Sequence, residues 1–156
     1  MPSDIDFMSI AIREAEDAFK EDEVPVGAVI VIDDEVIASD HNRREGSSDP
    51  LAHAEILVLR AASAKIKSWR LNNATLYVTK EPCIMCAGAM VNARLGRLVY
   101  GCRDIKGGAV DSLYQILYDN RLNHTVEVTS GVLEEESSLL LKRFFKNHRK
   151  RKNLLP

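Results

Sequence analysis

The strongest constraint on the fold of this chain is a pair of short segments, far apart in sequence, that carry metal-binding side chains. The segment A-H-A-E contains His53 and Glu55, and the segment E-P-C-I-M-C contains Cys83 and Cys86, thirty positions after the histidine. Proline suits the first turn of a helix, so the two cysteines are predicted to project from one face of a helix N-terminus. The positive end of a helix dipole lowers the pKa of a thiol, which favours metal binding.

The number of ligands distinguishes the interpretations of the C-x-x-C motif. This motif alone is also typical of thioredoxin-like redox centres and of structural zinc knuckles. A closed structural zinc site needs four protein ligands, whereas His53, Cys83 and Cys86 leave one position for water. Glu55 can share that site only at the irregular first turn of a helix. The pattern therefore predicts a catalytic zinc site with Glu55 as the proton shuttle.

Composition limits the class of protein. With 156 residues, of which 46% are apolar, the chain is expected to form a single domain over 1–156. The acidic N-terminal segment has no apolar signal core, and the odd cysteine, Cys102, is expected to be a small buried hydrophobe. No apolar run approaches the length of a membrane span. We therefore expect a cytoplasmic protein without a membrane partner.

The charge is distributed unevenly, although the formal net charge is only −2. Seven of the 21 lysines and arginines lie within 142–152, after three consecutive glutamates at 134–136. The basic C-terminal helix and tail, about 134–156, could be a solvated helix or a contact for nucleic acid. Charge alone leaves both interpretations open.

Hydrophobic periodicity predicts alternating helices and strands. The helices are expected over 3–22, with Ser3 as the N-cap, 53–65, 83–94, 112–118 and from 134. The strands are expected over 26–32, 35–38, 74–79, 98–101 and 126–130. The first two strands form a predicted hairpin, and the strand-helix-strand segment 74–102 predicts parallel pairing. Gly27, early in a buried strand, indicates close approach of a ligand or a backbone, or a simple packing need. The order predicts an α/β domain with a mixed sheet between helical layers.

The combination of H-x-E with P-C-x-x-C is the signature of the zinc nucleobase deaminases. Further matching segments lie at 23–29, 41–43, 49–55, 77–90 and 101–104. With them the chain resembles the bacterial tRNA-specific adenosine deaminases from its first helix to near its C-terminus. Leu51, where threonine is common, and Lys80, where an apolar residue is common, depart from the family's pattern.

The resemblance implies a fold and an activity. The fold is the three-layer α/β/α cytidine-deaminase-like fold with a central five-stranded mixed sheet. The activity is hydrolytic deamination of adenosine to inosine at the wobble position of tRNA, in which zinc-activated water attacks C6 and Glu55 moves the protons. The metal would be one zinc ion per chain, held by His53, Cys83 and Cys86. The expected partners are the anticodon stem-loop of tRNA and a second copy of the chain in a homodimer.

The resemblance also implies substrate contacts, by Asn42, Val26, Ala54, Asp104, Lys106, Arg44 and Phe145. Among these, Asn42 is expected to hydrogen-bond the flipped base, because an amide offers a donor and an acceptor together. The remaining histidines, His41, His124 and His148, are predicted to be surface or capping residues. Trp69 is predicted to pack rather than to stack on a base.

Three other functions are compatible with parts of this pattern. A deaminase of free cytosine, guanine or a nucleotide would share the metal, the shuttle and the fold, but Asn42 and the basic tail weigh against it. A non-catalytic, RNA-binding partner subunit would have no need of Glu55. A thiol redox protein would leave His53 and Glu55 unexplained.

Overall fold

The computed structural model describes residues 1–154, and Leu155 and Pro156, the end of the expected basic tail, lie outside the described residues. Within 1–154 the elements are α1 (Asp4–Lys20), β1 (Gly27–Ile32), β2 (Glu35–His41), α2 (Ala54–Ile66), β3 (Thr75–Lys80), α3 (Ile84–Asn92), β4 (Arg97–Cys102), a 3₁₀ helix (Ile116–Tyr118), β5 (Glu127–Thr129) and α4 (Glu134–Leu154). This order confirms the predicted alternation. None of the helices in this part of the chain combines the length and apolar character that a membrane crossing requires.

The prediction of a helix over 112–118 was wrong in extent, since only one 3₁₀ turn, Ile116–Tyr118, forms there. A longer helix would require the N–H of Ile116 to donate to the carbonyl of Ser112. That N–H donates instead to the carbonyl of Ala109, at 3.1 Å. A contact outside the segment therefore overrides its helical periodicity.

The strands form one mixed sheet. Its strand order is β2-β1-β3-β4-β5 in the described chain. Strand β1 pairs antiparallel with β2 and with β3, whereas β3, β4 and β5 run parallel to one another. The predicted hairpin and the predicted parallel pair are both confirmed. The start of β1 consequently meets the carboxyl ends of β2 and β3 at the same edge of the sheet.

Helices cover both faces of the sheet, as the strand sequences require. In β1, Ala28 and Ile30 are buried in the core with α2 and α3, whereas Val29 and Val31 are buried against α1. Alternate residues of β3 and β4 divide in the same way, which is the period of two expected for a sheet buried on both faces. Helix α4 packs beside α1, where the ring of Phe144 meets that of Phe19 edge-on. The three-layer α/β/α arrangement is confirmed.

Polar contacts fix the start of α1 on the sheet. Ser3 caps the helix in a capping box with Asp6, as predicted for its N-terminus. Asp4 accepts two hydrogen bonds from the Arg97 guanidinium, at 2.9 and 2.7 Å, and one from the Tyr77 hydroxyl at 2.8 Å. The Arg97 hydrogen bonds lower the pKa of Asp4. This network ties the first turn of α1 to β3 and β4.

Gly27 fixes the middle of α1 on the sheet through a backbone contact. A Cβ atom at this position would lie 2.0 Å from the carbonyl oxygen of Ala11 and 2.6 Å from the amide nitrogen of Ala15. Both atoms belong to the backbone of α1, so they cannot rotate away as a side chain would. Of the explanations considered for this glycine, close approach of a backbone is confirmed.

Replacing Gly27 with alanine is expected to lower the free energy of unfolding by about 3 kcal/mol, because the added methyl group must push α1 away from β1. Urea denaturation measures this change. Gly88→Ala is the matched control, since no described atom lies within 4 Å of the Cβ position at this site in α3. The control is expected to be neutral or stabilising by up to about 1 kcal/mol, as for a helical glycine replaced by alanine. Equal stability of the two variants would contradict the backbone contact.

Candidate active site

A cavity of about 330 Å³ opens at the edge of the sheet where β1 starts and β2, β3 and β4 end. Its lining includes six of the seven expected substrate contacts, Val26, Asn42, Arg44, Ala54, Asp104 and Phe145. It also includes His53, Glu55 and Cys83. The sheet topology thus brings residues from distant parts of the sequence to one place. Ligands commonly bind at such strand ends in α/β folds.

The cavity lining includes two residues of the predicted metal-binding group, His53 and Cys83, and Cys86 lies directly beside them. The Nδ1 atom of His53 lies 3.6 Å from the Sγ atom of Cys83 and 3.5 Å from that of Cys86. His53 is the N-cap of α2, Cys83 is the N-cap of α3, and Cys86 lies in the first turn of α3. Two helix N-termini therefore point at the same small volume, and their dipoles favour negatively charged sulfur there.

The donor set and its spacing suit zinc. The three ligand atoms lie within 4.8 Å of one another, and together they could hold a metal ion. Zinc bonds of about 2.3 Å to sulfur and 2.0–2.1 Å to nitrogen, at the tetrahedral angle, hold nitrogen and sulfur about 3.5–3.6 Å apart. The observed nitrogen-to-sulfur distances of 3.5 and 3.6 Å agree with this value. The cluster expected from the sequence is present, and its role as a zinc site stays a prediction.

Proton sharing within the cluster favours a thiolate. The hydrogen bond with Cys86 lowers the pKa of Cys83, and the same hydrogen bond, with burial, raises the pKa of Cys86. The contact with Cys83 raises the pKa of His53. Metal binding releases such protons, because the metal takes deprotonated sulfur and neutral imidazole.

Glu55 is buried beside this cluster, in the first turn of α2. Its side chain is only 4% exposed, although carboxylates are rarely buried without a role or a partner. Burial raises the pKa of Glu55 above that of an ordinary glutamate. A raised pKa favours binding of a proton, which a carboxyl group that both accepts and donates a proton requires.

Glu81, immediately before the P-C-x-x-C motif, is a buried carboxylate for which the sequence suggested no role. Only 2% of the residue is exposed. Its oxygens accept hydrogen bonds from the backbone N–H groups of Asp104 (3.1 Å), Val110 (3.2 Å), Asp111 (2.9 Å) and Ser112 (3.0 Å), and from the Ser112 hydroxyl (2.6 Å). Burial opposes the charged form, but these hydrogen bonds outweigh it and lower the pKa of Glu81. The carboxylate therefore holds the 103–112 loop, which contributes Asp104 to the cavity, against the start of α3.

Asn42 lies in the cavity wall with its amide held in place. The amide nitrogen donates to the carbonyl of Val24 at 3.3 Å, and the amide oxygen accepts from the N–H of Arg44 at 3.2 Å. One hydrogen and one lone pair of the amide are still free for a ligand. The arrangement fits the expected recognition of a base.

Lys106 lies outside the cavity lining in the described chain, and its expected contact with RNA stays a prediction. Its N–H donates to the carboxylate of Asp104 at 3.1 Å, which turns the loop and leaves its side chain on the surface. The lysine that does line the cavity is Lys80, whose Nζ lies 3.2 Å from Asp104 Oδ2. The sequence showed Lys80 only as a departure from the family's pattern.

Three further expectations can be compared with the structure. His41 is not a surface or capping histidine, because it is buried between carboxylates of α1. Cys102 is buried, as expected, and burial raises its pKa to about 11. Trp69 is 54% exposed, which is more than a packing residue implies, and the Arg70 guanidinium lies 4.4 Å from its ring centroid.

Comparison with known proteins places the chain among deaminases. The family described as MafB19-like deaminase matches residues 2–149. The tRNA-specific adenosine deaminase of Bacillus subtilis (strain 168) is 49% identical over 152 residues, which cover 97% of this chain and 94% of the relative.

Solved structures agree with this placement. A structure from a study of A-to-I editing by tRNA:A34 deaminases at the wobble position aligns with a TM-score of 0.84 and 47% identity, covering 86% of this chain and 98% of its own. A guanine deaminase from Nitrosomonas europaea aligns with a TM-score of 0.80 over 92% of this chain and 85% of its own. Because its identity is only 23%, it shows a shared fold alone.

Replacing Glu81 with glutamine is expected to lower the free energy of unfolding by about 3 kcal/mol, because an amide NH₂ group would face N–H donors and leave them unpaired. Chemical denaturation checks the value. Glu45→Gln, at an exposed carboxylate in the loop after β2, is the matched control and is expected to change stability by less than about 0.5 kcal/mol. A Glu81→Gln protein as stable as the control would show that the loop does not depend on this carboxylate.

Proposed function

Since the chain belongs to the family of tRNA-specific adenosine deaminases, we propose that it converts adenosine to inosine at the first anticodon position of a tRNA, by hydrolysis with release of ammonia. The observation that carries this proposal is the cluster of His53, Cys83 and Cys86 at the cavity, with buried Glu55 beside it. Family membership also implies a single domain, a homodimer and a cytoplasmic location, which are parts of the same proposal.

His53 and the two cysteines are proposed to hold one zinc ion, through Nδ1 and two sulfur atoms. When bound, zinc supplies the Lewis acidity that activates water for hydrolysis at neutral pH. The chain contributes the geometry, since the N-termini of α2 and α3 position the three donors. Three protein ligands, rather than four, suit a catalytic site.

Glu55 is proposed to carry the protons of the reaction. Attack of water at C6 requires a base for the water proton and an acid for N1 of the adenine, and the leaving amine then needs a second proton. One buried carboxyl group beside the cluster can serve each of these steps in turn. Its raised pKa supports this role, because an ordinary glutamate would hold a proton too weakly at neutral pH.

Asn42 is proposed to bind the base that is being deaminated. Its free amide hydrogen and free lone pair can pair with an edge of the adenine, and its contacts with Val24 and Arg44 fix the amide's orientation. Val26 and Ala54 provide apolar walls beside it. An apolar cavity with a few fixed polar groups is typical of a site for a flat heterocycle.

The nucleotides that flank the target are proposed to follow a surface depression that continues from the cavity. The depression shares Asn42, Arg44 and Phe145 with the cavity and extends along α4 to His148 and Arg151. Arg44 supplies a cation for phosphates, while Asp22, Glu23 and Glu45 also line the depression and Arg151 donates a hydrogen bond to Asp22 at 2.7 Å. Exposed rings stack on splayed bases. Phe145 is 41% exposed and is available for stacking. If the flanking nucleotides follow this proposed path, the basic C-terminal helix binds RNA and does not only face solvent.

A loop nucleotide is the expected form of the substrate. A base inside a stacked strand hides its C6 atom, and flipping it out costs a few kcal/mol, least where the nucleotide already lies in a loop. Contacts on both sides of the target must hold the splayed strand. An anticodon loop meets both conditions.

Purified protein is expected to contain about one zinc ion per chain, and Cys83→Ala is expected to lose the metal and the activity. Glu55→Gln is expected to keep the metal and to lower kcat by at least about a hundredfold, because a lost general acid–base group has that cost. Elemental analysis measures the zinc content, and assays with saturating substrate measure kcat. A metal-free protein with full activity, or a Glu55→Gln protein with normal turnover, would contradict the assigned roles.

An anticodon stem-loop with adenosine at its first anticodon position is expected to be deaminated efficiently. Free adenosine is expected to react with a kcat/KM lower by on the order of a hundredfold or more, because it lacks the flanking contacts that stabilise the bound loop. The inosine formed from the stem-loop and from free adenosine is quantified, and the turnover of free cytidine is measured in parallel. These rates together identify the class of substrate. Equal efficiency on free adenosine would contradict RNA specificity, and preference for cytidine would replace the proposed substrate.

A further inference from the structure

His41 is a buried histidine with a carboxylate on each side of its ring. It is the last residue of β2 and only 3% exposed. Its Nδ1 atom lies 2.7 Å from Oε1 of Glu14, and its Nε2 atom lies 2.7 Å from Oε2 of Glu21. Both glutamates belong to α1 or its C-cap. The imidazole ring therefore joins the end of β2 to two positions about two turns apart on the helix that packs across it.

Counting protons identifies the charge state of this ring. A neutral imidazole has one N–H, whereas two carboxylates at hydrogen-bond distance need two donors. Two ionised carboxylates at these distances are matched by the two N–H groups of an imidazolium ion. Burial opposes the charge, but the hydrogen bonds with Glu14 and Glu21 outweigh it, so the pKa of His41 lies above its usual value.

The other groups around the ring do not change this conclusion. Asp40 Oδ1 lies 3.8 Å from Nδ1 of His41, which further favours the cation. Arg43 opposes it, although its charge is partly offset by the hydrogen bond from its Nε atom to Asp40, at 2.7 Å. The strand residue opposite His41 is Gly27, which carries no charge.

The same neighbourhood must be weighed as a metal site. Atoms of Glu14, Asp40 and His41 lie within 4.8 Å of one another and could hold a metal ion. However, both ring nitrogens already face a carboxylate oxygen at 2.7 Å, the length of a charge-assisted hydrogen bond. A proton on each nitrogen explains these distances, and a metal does not.

The position of His41 connects it to the cavity. Asn42 follows it directly, and the N–H of Asn42 donates to the carbonyl of Val26, another cavity residue, at 3.0 Å. Gly27, which pairs with His41, is where the backbone of α1 touches β1. A shift of the end of β2 relative to α1 would therefore move Asn42. It would also disturb the hydrogen bond that the N–H of Arg44 donates to the amide oxygen of Asn42.

We propose that His41 is a positioning residue, whose two hydrogen bonds to Glu14 and Glu21 hold the end of β2 on α1 and thereby place Asn42 in the substrate cavity. This inference rests on the proposed function, because it assigns Asn42 to substrate binding. It adds a residue outside the cavity to the determinants of substrate affinity, and it makes that affinity depend on pH.

The direction of the pH dependence follows from the charge. Below the pKa of His41 both hydrogen bonds are present. As the pH rises through that pKa, which is raised above about 6.5, one nitrogen loses its proton and its lone pair faces a carboxylate. The end of β2 is then released from α1, and substrate affinity is expected to fall at higher pH.

The test measures the affinity of the zinc-loaded Glu55→Gln protein for an anticodon stem-loop between about pH 6 and pH 9, by fluorescence anisotropy. Affinity is expected to fall about tenfold across the titration of His41, within the range of coupling in one hydrogen-bond network. His41→Gln added to this protein should bind weakly at low pH with no such fall. Glu21→Gln, at a half-exposed partner, should move the midpoint to lower pH.

His124→Gln is the matched control, because His124 lies outside the described linings of the cavity and of the proposed RNA groove. It should leave the midpoint unchanged. A midpoint that disappears with His124 instead of His41, or one that Glu21→Gln does not move, would overturn the proposal. A second metal ion per chain that is lost in His41→Gln would overturn it as well.

A measurement without RNA separates this proposal from the proposed function. In an NMR titration of the free protein, the side-chain amide of Asn42 should change its chemical shift with the same midpoint as the His41 ring. If the stem-loop binds at no pH, the proposed function fails, and the titration still decides the role of His41. An Asn42 amide that does not follow His41 would overturn the positioning role even if the protein is an efficient deaminase.

Discussion

The antiparallel pairing of β1 with both of its neighbours is the constraint on which the site depends. Gly27 pairs with His41, and Ala28 pairs with Val78, so the start of β1 lies between the ends of β2 and β3. The chain segments that leave these strands then meet at one edge of the sheet. Parallel pairing of β3 with β4 adds the loop that contains Asp104 to the same edge. The cavity is therefore a consequence of strand direction, and its chemistry depends on which side chains follow each strand.

Three buried or partly buried glutamates show how environment assigns different roles to one chemical group. Glu55 is buried beside the metal-binding cluster, and burial raises its pKa. Glu81 is equally buried, but five hydrogen-bond donors stabilise its charge and lower its pKa. Glu14 lies 2.7 Å from the Nδ1 atom of His41. The first of these sites is proposed to move protons, the second holds a loop in place, and the third is proposed to hold the end of β2.

The helix α1 contributes no residue to the cavity lining described here, yet the cavity depends on it. Backbone contact at Gly27 fixes its distance from β1, and the contact between Glu21 and His41 fixes it against β2. Close packing transmits displacement between such elements, because protein interiors have few voids that could absorb it. Substitutions in α1 can therefore change substrate affinity without touching a ligand.

The sequence by itself determined the order of the helices and strands, the position of the sheet between helical layers and the N-cap of α1. It also determined the grouping of His53 with Cys83 and Cys86. Each of these follows from local periodicity or from short motifs with a known chemical requirement. Only the tertiary structure decided the burial of Glu81 and His41, the presence of Lys80 in the cavity lining, and the single 3₁₀ turn at 116–118. The partners of Glu81 lie 23 to 31 positions away, and those of His41 lie 20 and 27 positions away. No short-range pattern in a sequence encodes such pairs, because strand pairing and helix packing bring them together only in the folded chain.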